Sequence, residues 1–362
     1  MKGPHVCEVI KSLDVGGAEV LLVERLLAAP ATGKRYTVVC QQASSQELPD
    51  RLRSAGIGVV DLTPSPRHLR WAHLVRTVRS LRPHVLNVHS PVPASLLRPA
   101  SRLWSPRPAL VSTVHSVRYR LPTMALDRAT GWLDIRTVAV SPQVARAATS
   151  WGSRGLVTRI HGVSVTRQRG WAAEAERTRQ EWNVPPDAFL IVHTGNFRPP
   201  KNHGLLVEAA ARVRELDARA VFLLAGSGPL REQVTRQVAE LRLDNVRLLG
   251  HVPDAARLIA AADLLVLSSS YEGLPVVVME ALAAGVPVVS TFVGGVPDLV
   301  ESEWNGILTA PGDAEALAAA VARAMRPEVH ARLCHGARDS ADQVDIGVAA
   351  EWFDRLYDEI CP

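Results

Sequence analysis

Apolar residues in the second half of the chain fall into short β-branched runs separated by amphipathic segments. The runs predict five strands: FLIVHT (189–194), AVFLLA (220–225), VRLLG (246–250), DLLVL (263–267) and VPVVS (286–290). The intervening segments, such as 203–216 and 230–241, carry apolar residues at helical spacing. Strands that are apolar on both faces and alternate with helices predict a parallel sheet covered on both sides.

The first half repeats this plan with five further predicted strands: HVCEVIKS (5–12), YTVVCQ (36–41), GVVDL (58–62), HVLNVH (84–89) and ALVSTVH (109–115). A chain of 362 residues is long for one core, so we predict two α/β domains, each Rossmann-like. We place the domains at 1–165 and 166–345. A last helical segment, 346–362, is expected to pack back on the N-terminal domain.

The chain lacks the sequence features of a membrane-spanning or secreted protein. No segment reaches the roughly 18 consecutive apolar residues of a membrane span, and the N-terminus lacks the apolar stretch of a signal peptide. We therefore expect a cytoplasmic protein. The four cysteines, at 7, 40, 334 and 361, show no C-x-x-C spacing. We expect neither disulfides nor a structural zinc ion.

Charge is distributed unevenly. Residues 1–165 hold 22 basic against 9 acidic residues, and the span between Asp61 and Asp127 holds ten arginines and no acid. Such a field attracts anions, although a chain with only four lysines also suggests a compositional origin for the arginines. Few aromatic residues and no known motif argue against nucleic acid. An anionic acceptor, or peripheral binding to an anionic inner membrane face through Arg70, Arg76 and Arg79, is the hypothesis we carry forward.

One carboxylate is out of place in the apolar stretch SSSYEGLPVVVMEALAAGVPVVS. Pro275 and Gly285 predict a helix over 276–284, and Glu280 lies in its middle, eight residues after Glu272. A buried carboxylate is either paired with a cation or held for a ligand. Its two acceptor oxygens suit neighbouring hydroxyls such as those of a ribose.

Ligands of open parallel sheets bind beyond the carboxyl ends of the strands. The loop after the 189–194 strand, GNFRPPKNH, places Arg198 and Lys201 before a helix, which favours a phosphate. The EGLP turn offers further backbone donors before the 276–284 helix. The G-S-G of the neighbouring loop is a weak signal by itself.

These motifs together resemble the retaining glycosyltransferases of family 4. The resemblance rests on the Glu272/Glu280 pair, GNFRPPKN, LLAGSGPL, LLGHVPD and GGVPDLV in the second half, and more loosely on GGAE, NVHSP and STVHS in the first. It covers nearly the whole chain. It implies the GT-B fold, in which two Rossmann-like domains face each other across a cleft that holds the active site.

The resemblance also implies a donor site in the second domain. Glu280 would bind the ribose hydroxyls, Lys201 the diphosphate, and the backbone of Val252 the base. Glu272 and the turn formed by Gly273, Leu274 and Pro275 would hold the transferred sugar. Across the cleft, Gly16 and Gly17 would face the phosphates and His115 the sugar, with His89 as a competitor of His115.

One position departs from the family pattern. The family loop reads G-R-L, but this chain has Asn196 where the arginine is usual, so Arg198 would have to substitute for it. No D-x-D motif occurs, and we expect no metal and no cofactor. The implied reaction moves a hexosyl or N-acetylhexosaminyl group, with retention, from a nucleotide sugar to an unknown acceptor. UDP is the expected nucleotide, and no residue excludes GDP. The alternatives are a nucleotide-sugar 2-epimerase and a non-catalytic binding partner.

Overall fold

The chain forms two compact units. The computed structural model describes residues 3–14, 16–116, 119–147 and 152–361. Unit 1 comprises the chain up to Gly162 together with the segment from Ile346, and unit 2 comprises Val163–Asp345. The first boundary thus lies three residues before the position placed from the sequence, and the second lies at that position.

Unit 1 contains a parallel sheet of seven strands. The strands are β1 (His5–Ser12), β2 (Arg35–Gln42), β3 (Gly58–Asp61), β4 (Val85–Val88), β5 (Ala109–Val114), β6 (Arg136–Ala139) and β7 (Leu156–Thr158). Their order across the sheet is β3-β2-β1-β4-β5-β6-β7. The helices are α1 (Gly17–Leu27), α2 (Glu47–Ser54), α3 (Arg70–Leu81), α4 (Pro91–Ser101), α5 (Leu121–Gly131), α6 (Pro142–Arg146) and α15 (Ile346–Ile360). The strand order changes direction between β1 and β4, which is where ligands bind in open sheets of this kind.

Unit 2 contains a parallel sheet of six strands. These are β8 (Phe189–Thr194), β9 (Ala220–Ala225), β10 (Val246–Gly250), β11 (Leu264–Leu267), β12 (Val288–Thr291) and β13 (Gly306–Thr309), in the order β10-β9-β8-β11-β12-β13. The helices are α7 (Val165–Ala173), α8 (Ala175–Glu181), α9 (His203–Leu216), α10 (Arg231–Glu240), α11 (Ala255–Ala260), α12 (Val276–Ala284), α13 (Ala314–Ala324) and α14 (Pro327–Asp339). Here the direction changes between β8 and β11.

The predicted fold class, two Rossmann-like parallel-sheet domains, is confirmed. All ten predicted strands form, and α9 and α12 have the predicted bounds. Three strands were missed: β6, β7 and β13. Each has only three or four residues and lies at or next to a sheet edge, so each lacks the long apolar run that marks a central strand.

The segment α15 packs on the sheet of unit 1. Phe353 and Tyr357 of this helix are buried in one cluster with Val6, Val85 and Val111 from three neighbouring strands. The aromatic rings thus cover three neighbouring strands of the sheet. The last helix therefore belongs to the core of unit 1.

All four cysteines are free thiols, and Cys7 and Cys40 are buried. Within the described ranges, no three His, Cys, Asp or Glu side chains are grouped to hold a metal ion. In the same part of the chain, none of the helices combines the length and apolarity that crossing a bilayer requires.

Candidate active site

Lys201 and Glu272, which lie in different loops of unit 2, form an ion pair. Lys201 ends a 3-10 turn (Pro199–Lys201) after β8, and Glu272 lies in the loop between β11 and α12. Lys201 Nζ donates to Glu272 Oε1 at 2.6 Å, with 23% and 9% of the two side chains exposed. Partial burial strengthens the attraction relative to an exposed pair. The residues expected to hold the diphosphate and the sugar therefore contact each other.

Two buried serines after β11 hold this pair in place. The Ser269 hydroxyl donates to Glu272 Oε1 at 2.6 Å, and the Ser268 hydroxyl donates to the backbone oxygens of Lys201 and Asn202 at 2.9 and 3.0 Å. Ser269 is held in turn, because Thr291 of β12 donates to its backbone oxygen at 2.6 Å. The loops after three neighbouring strands are thereby fixed to one another.

The turn that contains Gly294 and Gly295 lies directly against the EGLP turn. The Gly295 N–H donates to the Gly273 backbone oxygen at 2.7 Å. A Cβ atom at Gly294, where φ is +60°, would lie 2.1 Å from the Glu272 backbone oxygen, and one at Gly295 would lie 2.6 Å from that of Gly273. Only glycine permits this approach. The two glycines therefore fix the backbone that leads through Leu274 and Pro275 into α12.

Glu280 lies on the less buried side of α12. It is half-buried, as are Val276 one turn before it and Ala284 one turn after it, whereas Val278, Met279, Ala281, Leu282 and Ala283 are buried. Residues four apart share one face of a helix. The sequence suggested a charge inside the core, and the structure instead places Glu280 on the accessible stripe of a core helix. Pro275 is the N-cap of this helix and Gly285 its left-handed C-cap, with φ +79°.

The loop with the unusual Asn196 exposes its polar residues and buries its aromatic one. Asn196 and Arg198 are exposed, while Phe197 between them is fully buried and stacks on His203 at 3.9 Å between ring centroids. Among the described residues, Arg198 forms no ion pair. Its guanidinium is thus available in the same loop as Lys201, as its predicted substitution for the missing arginine requires.

Glycines also set the position of this loop. Gly226, with φ +148°, lies so close to the loop that a Cβ would be 2.0 Å from the Gly195 backbone oxygen. The N–H of Phe197 donates to the Ser227 oxygen at 2.9 Å. The G-S-G motif, a weak signal in the sequence, serves close packing of two loops at the carboxyl edge of the sheet.

Two buried histidines lie beneath the Lys201 loop. The rings of His193 and His203 meet edge to face at 4.8 Å. Burial lowers the pKa of His193 to about 3, with further lowering by His203, and lowers that of His203 to about 4, aided by the Lys201 charge. Both rings are therefore neutral at pH 7 and add no positive charge to the loop.

Val252, the expected contact of the base, lies in the loop after β10. It lines a cavity of about 200 Å³ together with Trp182, Pro253 and Arg257. This position at the carboxyl end of β10 is the one the sequence suggested. Its role in binding a base stays a prediction.

Gly16 and Gly17 form the start of α1 in unit 1. Gly16 is the N-cap in an extended conformation, and Gly17 is the exposed first residue of the helix. A Cβ atom at Gly16 would lie 2.6 Å from Glu19 Oε2, so this carboxylate already lies over the helix N-terminus. Burial raises the pKa of Glu19. A phosphate that approached these glycines would have to displace or neutralise that carboxylate.

The two candidate histidines of unit 1 are hydrogen-bonded to each other. His89, which is 4% exposed, bonds Glu8 through Nε2 at 2.7 Å and His115 through Nδ1 at 3.0 Å. Both of its ring nitrogens are thus occupied. Among the described residues, His115 is hydrogen-bonded through Nε2 alone, and both histidines line a cavity of about 300 Å³. Of the two, His115 is the residue placed to contact a ligand.

Comparison with known families agrees with these features. A model described as Glycosyltransferase Family 4 matches residues 15–167, and one described as Glycosyl transferases group 1 matches residues 174–340. The chain belongs to glycosyltransferase family 4. The family suggested by the sequence motifs is thereby confirmed. The first matched range contains six of the seven strands of unit 1, and the second contains all six strands of unit 2.

Curated relatives match parts of the chain. N-acetyl-alpha-D-glucosaminyl L-malate synthase of Bacillus anthracis is 33% identical over 165 residues, which cover 45% of this chain and 43% of the relative. D-inositol 3-phosphate glycosyltransferase of Saccharomonospora viridis is 38% identical over 195 residues, which cover 50% of this chain and 45% of the relative. The chain thus spans less than half the length of these two relatives.

Solved structures match over the full chain. The crystal structure of HepE from Anabaena in complex with UDP-glucose has a TM-score of 0.85 at 21% identity, covering 99% of this chain and 100% of HepE. At this identity the likeness establishes the fold, which is the GT-B fold expected of family 4.

Several residues that organise the site were missed in the sequence. Ser269 was part of an uninterpreted SSS run, and Glu8 was one acid in the strand HVCEVIKS. A carboxylate within a buried strand is a recognisable signal, since such a charge requires partners. Its partners, His89 at a separation of 81 residues and Tyr357 at 349, could not be inferred without the fold.

Proposed function

We propose that this family 4 glycosyltransferase moves a hexosyl or N-acetylhexosaminyl group from a UDP-sugar to an acceptor hydroxyl, with retention of configuration. The observation that carries the proposal is the contact between Lys201 and Glu272 at the carboxyl ends of β8 and β11, next to the first turn of α12. It gathers a cation, a carboxylate and a helix N-terminus at one edge of the sheet. The UDP-glucose bound by HepE supports the choice of donor.

Each part of the donor would meet a different group. Glu280, on the accessible stripe of α12, would accept hydrogen bonds from the ribose hydroxyls, and the backbone at Val252 would contact the base. Arg198 and Lys201 would compensate the diphosphate charge. Glu272 and the Gly273–Leu274 backbone would bind the sugar hydroxyls.

Donor binding would then separate the ion pair of Lys201 and Glu272 and give each side chain a new partner on the donor. Lys201 would turn from Glu272 toward the diphosphate, and the Glu272 carboxylate would be left to the sugar, still held by Ser269. A cation that joins the leaving group lowers the barrier most when it strengthens its contact as charge develops there. The ion pair therefore keeps Lys201 near the required position before the donor arrives.

The bond changes of the transfer are simple. The bond between the sugar C1 and the diphosphate oxygen breaks, with its electron pair leaving on the phosphate. The acceptor hydroxyl oxygen bonds to C1 on the same face, and its proton passes to the departing phosphate oxygen. Positioning and charge compensation supply the acceleration in such a step, so we propose that no metal and no cofactor takes part.

Nucleotide binding tests this proposal most directly. We would measure thermal unfolding of the wild type, Glu280→Ala and the exposed control Glu315→Ala with UDP, GDP, ADP, dTDP and UDP-sugars. A ligand at a hundredfold its Kd adds about 2.7 kcal/mol of stability. We expect stabilisation by UDP in the wild type and control, and its loss in Glu280→Ala. If no nucleotide stabilises the folded wild type, the protein is a non-catalytic partner; if the donor is converted without a lasting conjugate, it is an epimerase.

We also propose that the acceptor is presented at an anionic lipid surface. Helix α4 packs between α3 and α5, and the three form one layer of unit 1. Arg76, Arg79 and Arg82 are exposed at α3, and they line a cavity of about 310 Å³ beside Trp104. Exposed cations attract anionic lipid headgroups.

Two arginines of the acid-free span are held by partners within unit 1. Arg98 is buried and donates to Asp134 and Asp127, and Arg70 donates to the backbone oxygens of Thr63 and Ser65. Arg98 therefore does not contribute to the surface charge, whereas Arg70 is half-buried and keeps its charge because its acceptors are neutral carbonyl groups. Arg118 lies outside the described residues.

Helix α5 adds an apolar component to the same layer. Leu121 and Leu126 are 80% and 57% exposed, and Trp132, just past the helix, is 60% exposed. Ala125 and Ala129 on the same outer side are exposed as well. Apolar side chains beside cations are typical of helices that lie at a membrane interface.

A further inference from the structure

Three side chains of unit 1 form a buried hydrogen-bonded chain that ends at a cavity. Glu8 of β1 bonds His89 Nε2 through Oε2 at 2.7 Å, and His89 Nδ1 bonds His115 Nε2 at 3.0 Å. His89 and His115 follow the adjacent strands β4 and β5 directly. The chain thus leads from the middle of the sheet to its carboxyl edge.

Glu8 can only accept hydrogen bonds. Burial alone would raise its pKa, but Arg25 and His89 outweigh burial and lower the pKa of Glu8 to about 2. The other oxygen, Oε1, accepts from Arg25 at 2.7 Å and from the Tyr357 hydroxyl at 2.8 Å. The Tyr357 oxygen accepts from Asn87, so its own proton points to Glu8. The carboxylate is therefore ionised and fixed from three sides.

The ionised Glu8 carboxylate determines which ring nitrogen carries the proton, first in His89 and then in His115. His89 must donate to Glu8 from Nε2, and as a neutral ring it then offers a lone pair at Nδ1. His115 must donate to that lone pair from Nε2. Burial lowers the pKa of both rings, which keeps them neutral. The remaining nitrogen of His115, Nδ1, then carries a lone pair and no proton.

Nδ1 is also the nitrogen left for a ligand. Among the described residues, none forms a hydrogen bond with it. His161, whose ring lies 5.6 Å from that of His115 between centroids, has no hydrogen-bond partner in the described chain and contacts His115 by packing. The cavity lined by His115 is also lined by His89, Lys11, Ser90, Tyr119 and Arg120, but both ring nitrogens of His89 already have partners.

We infer that Glu8 and His89 are positioning residues that hold His115 as a hydrogen-bond acceptor, so that the ligand group meeting His115 is a hydroxyl and not a carboxylate or phosphate. A hydroxyl donates into the lone pair, whereas an anionic oxygen faces it with a lone pair of its own. The inference rests on the proposed function only in naming the hydroxyl as one of a sugar. Lys11 and Arg120, not His115, are the groups of this cavity that suit an anion.

The tautomer of His115 tests the inference without any substrate. Protein labelled with ¹⁵N-histidine would be compared by NMR with His115→Gln, which identifies the His115 ring signals by their loss. We expect a pyridine-type Nδ1 and a protonated Nε2. A protonated Nδ1 in the wild type would overturn the inference.

Substitutions at His89 distinguish a role in positioning the His115 ring from a general loss of structure. His89→Gln retains an amide that donates to Glu8 and an oxygen that accepts from His115, whereas His89→Leu retains neither. We expect the wild-type tautomer in His89→Gln and a mixture in His89→Leu, with His68→Leu, at an exposed histidine, as the control. An unchanged His115 ring in folded His89→Leu would contradict the inference.

Binding completes the test. By calorimetry, we expect His89→Leu to weaken UDP-glucose by about 3- to 10-fold, the effect of one lost hydrogen bond, and to leave UDP unchanged. Equal weakening of both ligands would overturn the positioning role. If no nucleotide sugar binds the wild type, the proposed function fails, and the tautomer measurement still decides the inference.

Discussion

The Glu272 carboxylate has two partners that constrain it in different ways. Lys201 supplies a charge from the loop after β8, and Ser269 supplies a short hydroxyl bond from within the same loop. Both reach Oε1, and no described residue bonds Oε2. A carboxylate held in this way keeps one oxygen with its lone pairs directed at a ligand hydroxyl. Ser269 is fully buried and does not itself need to touch the ligand.

We therefore predict a selective defect in Ser269→Ala. The substitution removes one charge-assisted hydrogen bond, worth about 1.5 to 3 kcal/mol, and leaves the Lys201 cation in place. UDP-glucose should bind about tenfold or more weakly in calorimetry, whereas UDP alone should bind as in the wild type.

Ser270→Ala is the matched control. Ser270 is the next residue and is exposed, and its hydroxyl donates to the Pro200 backbone oxygen at 3.3 Å. If Ser269→Ala bound UDP-glucose as tightly as Ser270→Ala does, Ser269 would not position Glu272.

The residues predicted from the sequence share a contrast with their surroundings. Glu280 was visible as a charge in an apolar helix, and Lys201 as one of only four lysines, placed before a helix. Ser269 has no such contrast, because serine is an ordinary residue at a strand end, and His89 was predicted only as a competitor of His115. Their importance comes from the partner each meets in the fold.

At the scale of elements, apolar runs predicted the central strands and missed three short strands at one side of each sheet. β9 is a fully apolar run of six residues, β8 begins with four apolar residues, and the bounds of both follow from the sequence. β7 has three residues and none is buried. An edge strand is defined by backbone pairing with one neighbour, which side-chain patterns do not record. The layer formed by α3, α4 and α5 likewise depends on packing between helices.

This layer leads to a prediction about vesicle binding. The wild type should cosediment with vesicles that contain anionic lipid and not with purely zwitterionic ones. Leu121→Ser with Leu126→Ser should weaken binding by about tenfold or more, since burying one leucine contributes about 1.5 to 3 kcal/mol. Arg76→Gln with Arg79→Gln should weaken it further, at about 1 kcal/mol for each charge.

The control is Leu216→Ser on α9 of unit 2, at a leucine that is 65% exposed. It should bind vesicles as the wild type does. Equal loss in this control would indicate non-specific adhesion. If the variant with Leu121→Ser and Leu126→Ser still bound vesicles, the proposed lipid-binding surface would be rejected. Saturation by a free anionic acceptor would then be measured with the variant that carries Arg76→Gln and Arg79→Gln.

At the scale of the whole molecule, the last helix changes how charge is divided. α15 belongs to unit 1 and brings Lys34 into contact with Asp354 and Asp358 at 2.9 and 2.8 Å. With this segment, unit 1 holds 23 basic and 13 acidic residues, so its net charge falls from +13 to +10. The asymmetry seen along the sequence is real but smaller in the folded units. The remaining excess is carried by exposed arginines such as Arg76.

Both units bury neutral histidines, and this makes the stability of the whole molecule depend on pH. Burial lowers the pKa of His89, His115 and His161 in unit 1 and of His193 and His203 in unit 2. In the unfolded chain these rings have a pKa near 6.5. Below that pH the unfolded chain binds more protons than the folded one, so the free energy of unfolding must fall as pH falls.

For His203 the window extends from pH 6.5 down to its folded pKa of about 4. Within it, one such histidine contributes a slope of up to about 1.4 kcal/mol per pH unit.

We predict that the urea midpoint of the wild type falls between pH 7 and pH 5. It should fall less in His203→Phe, because phenylalanine keeps the stacking on Phe197 and cannot be protonated. His68→Phe, at an exposed histidine, should show the wild-type slope. The pKa of Glu8 is lowered from 4.5 to about 2, so its contribution to stability is lost mainly below pH 5, outside the range between pH 7 and pH 5 that is measured here. If His203→Phe and the wild type lost stability equally on acidification, His203 would already be protonated or solvated in the native state.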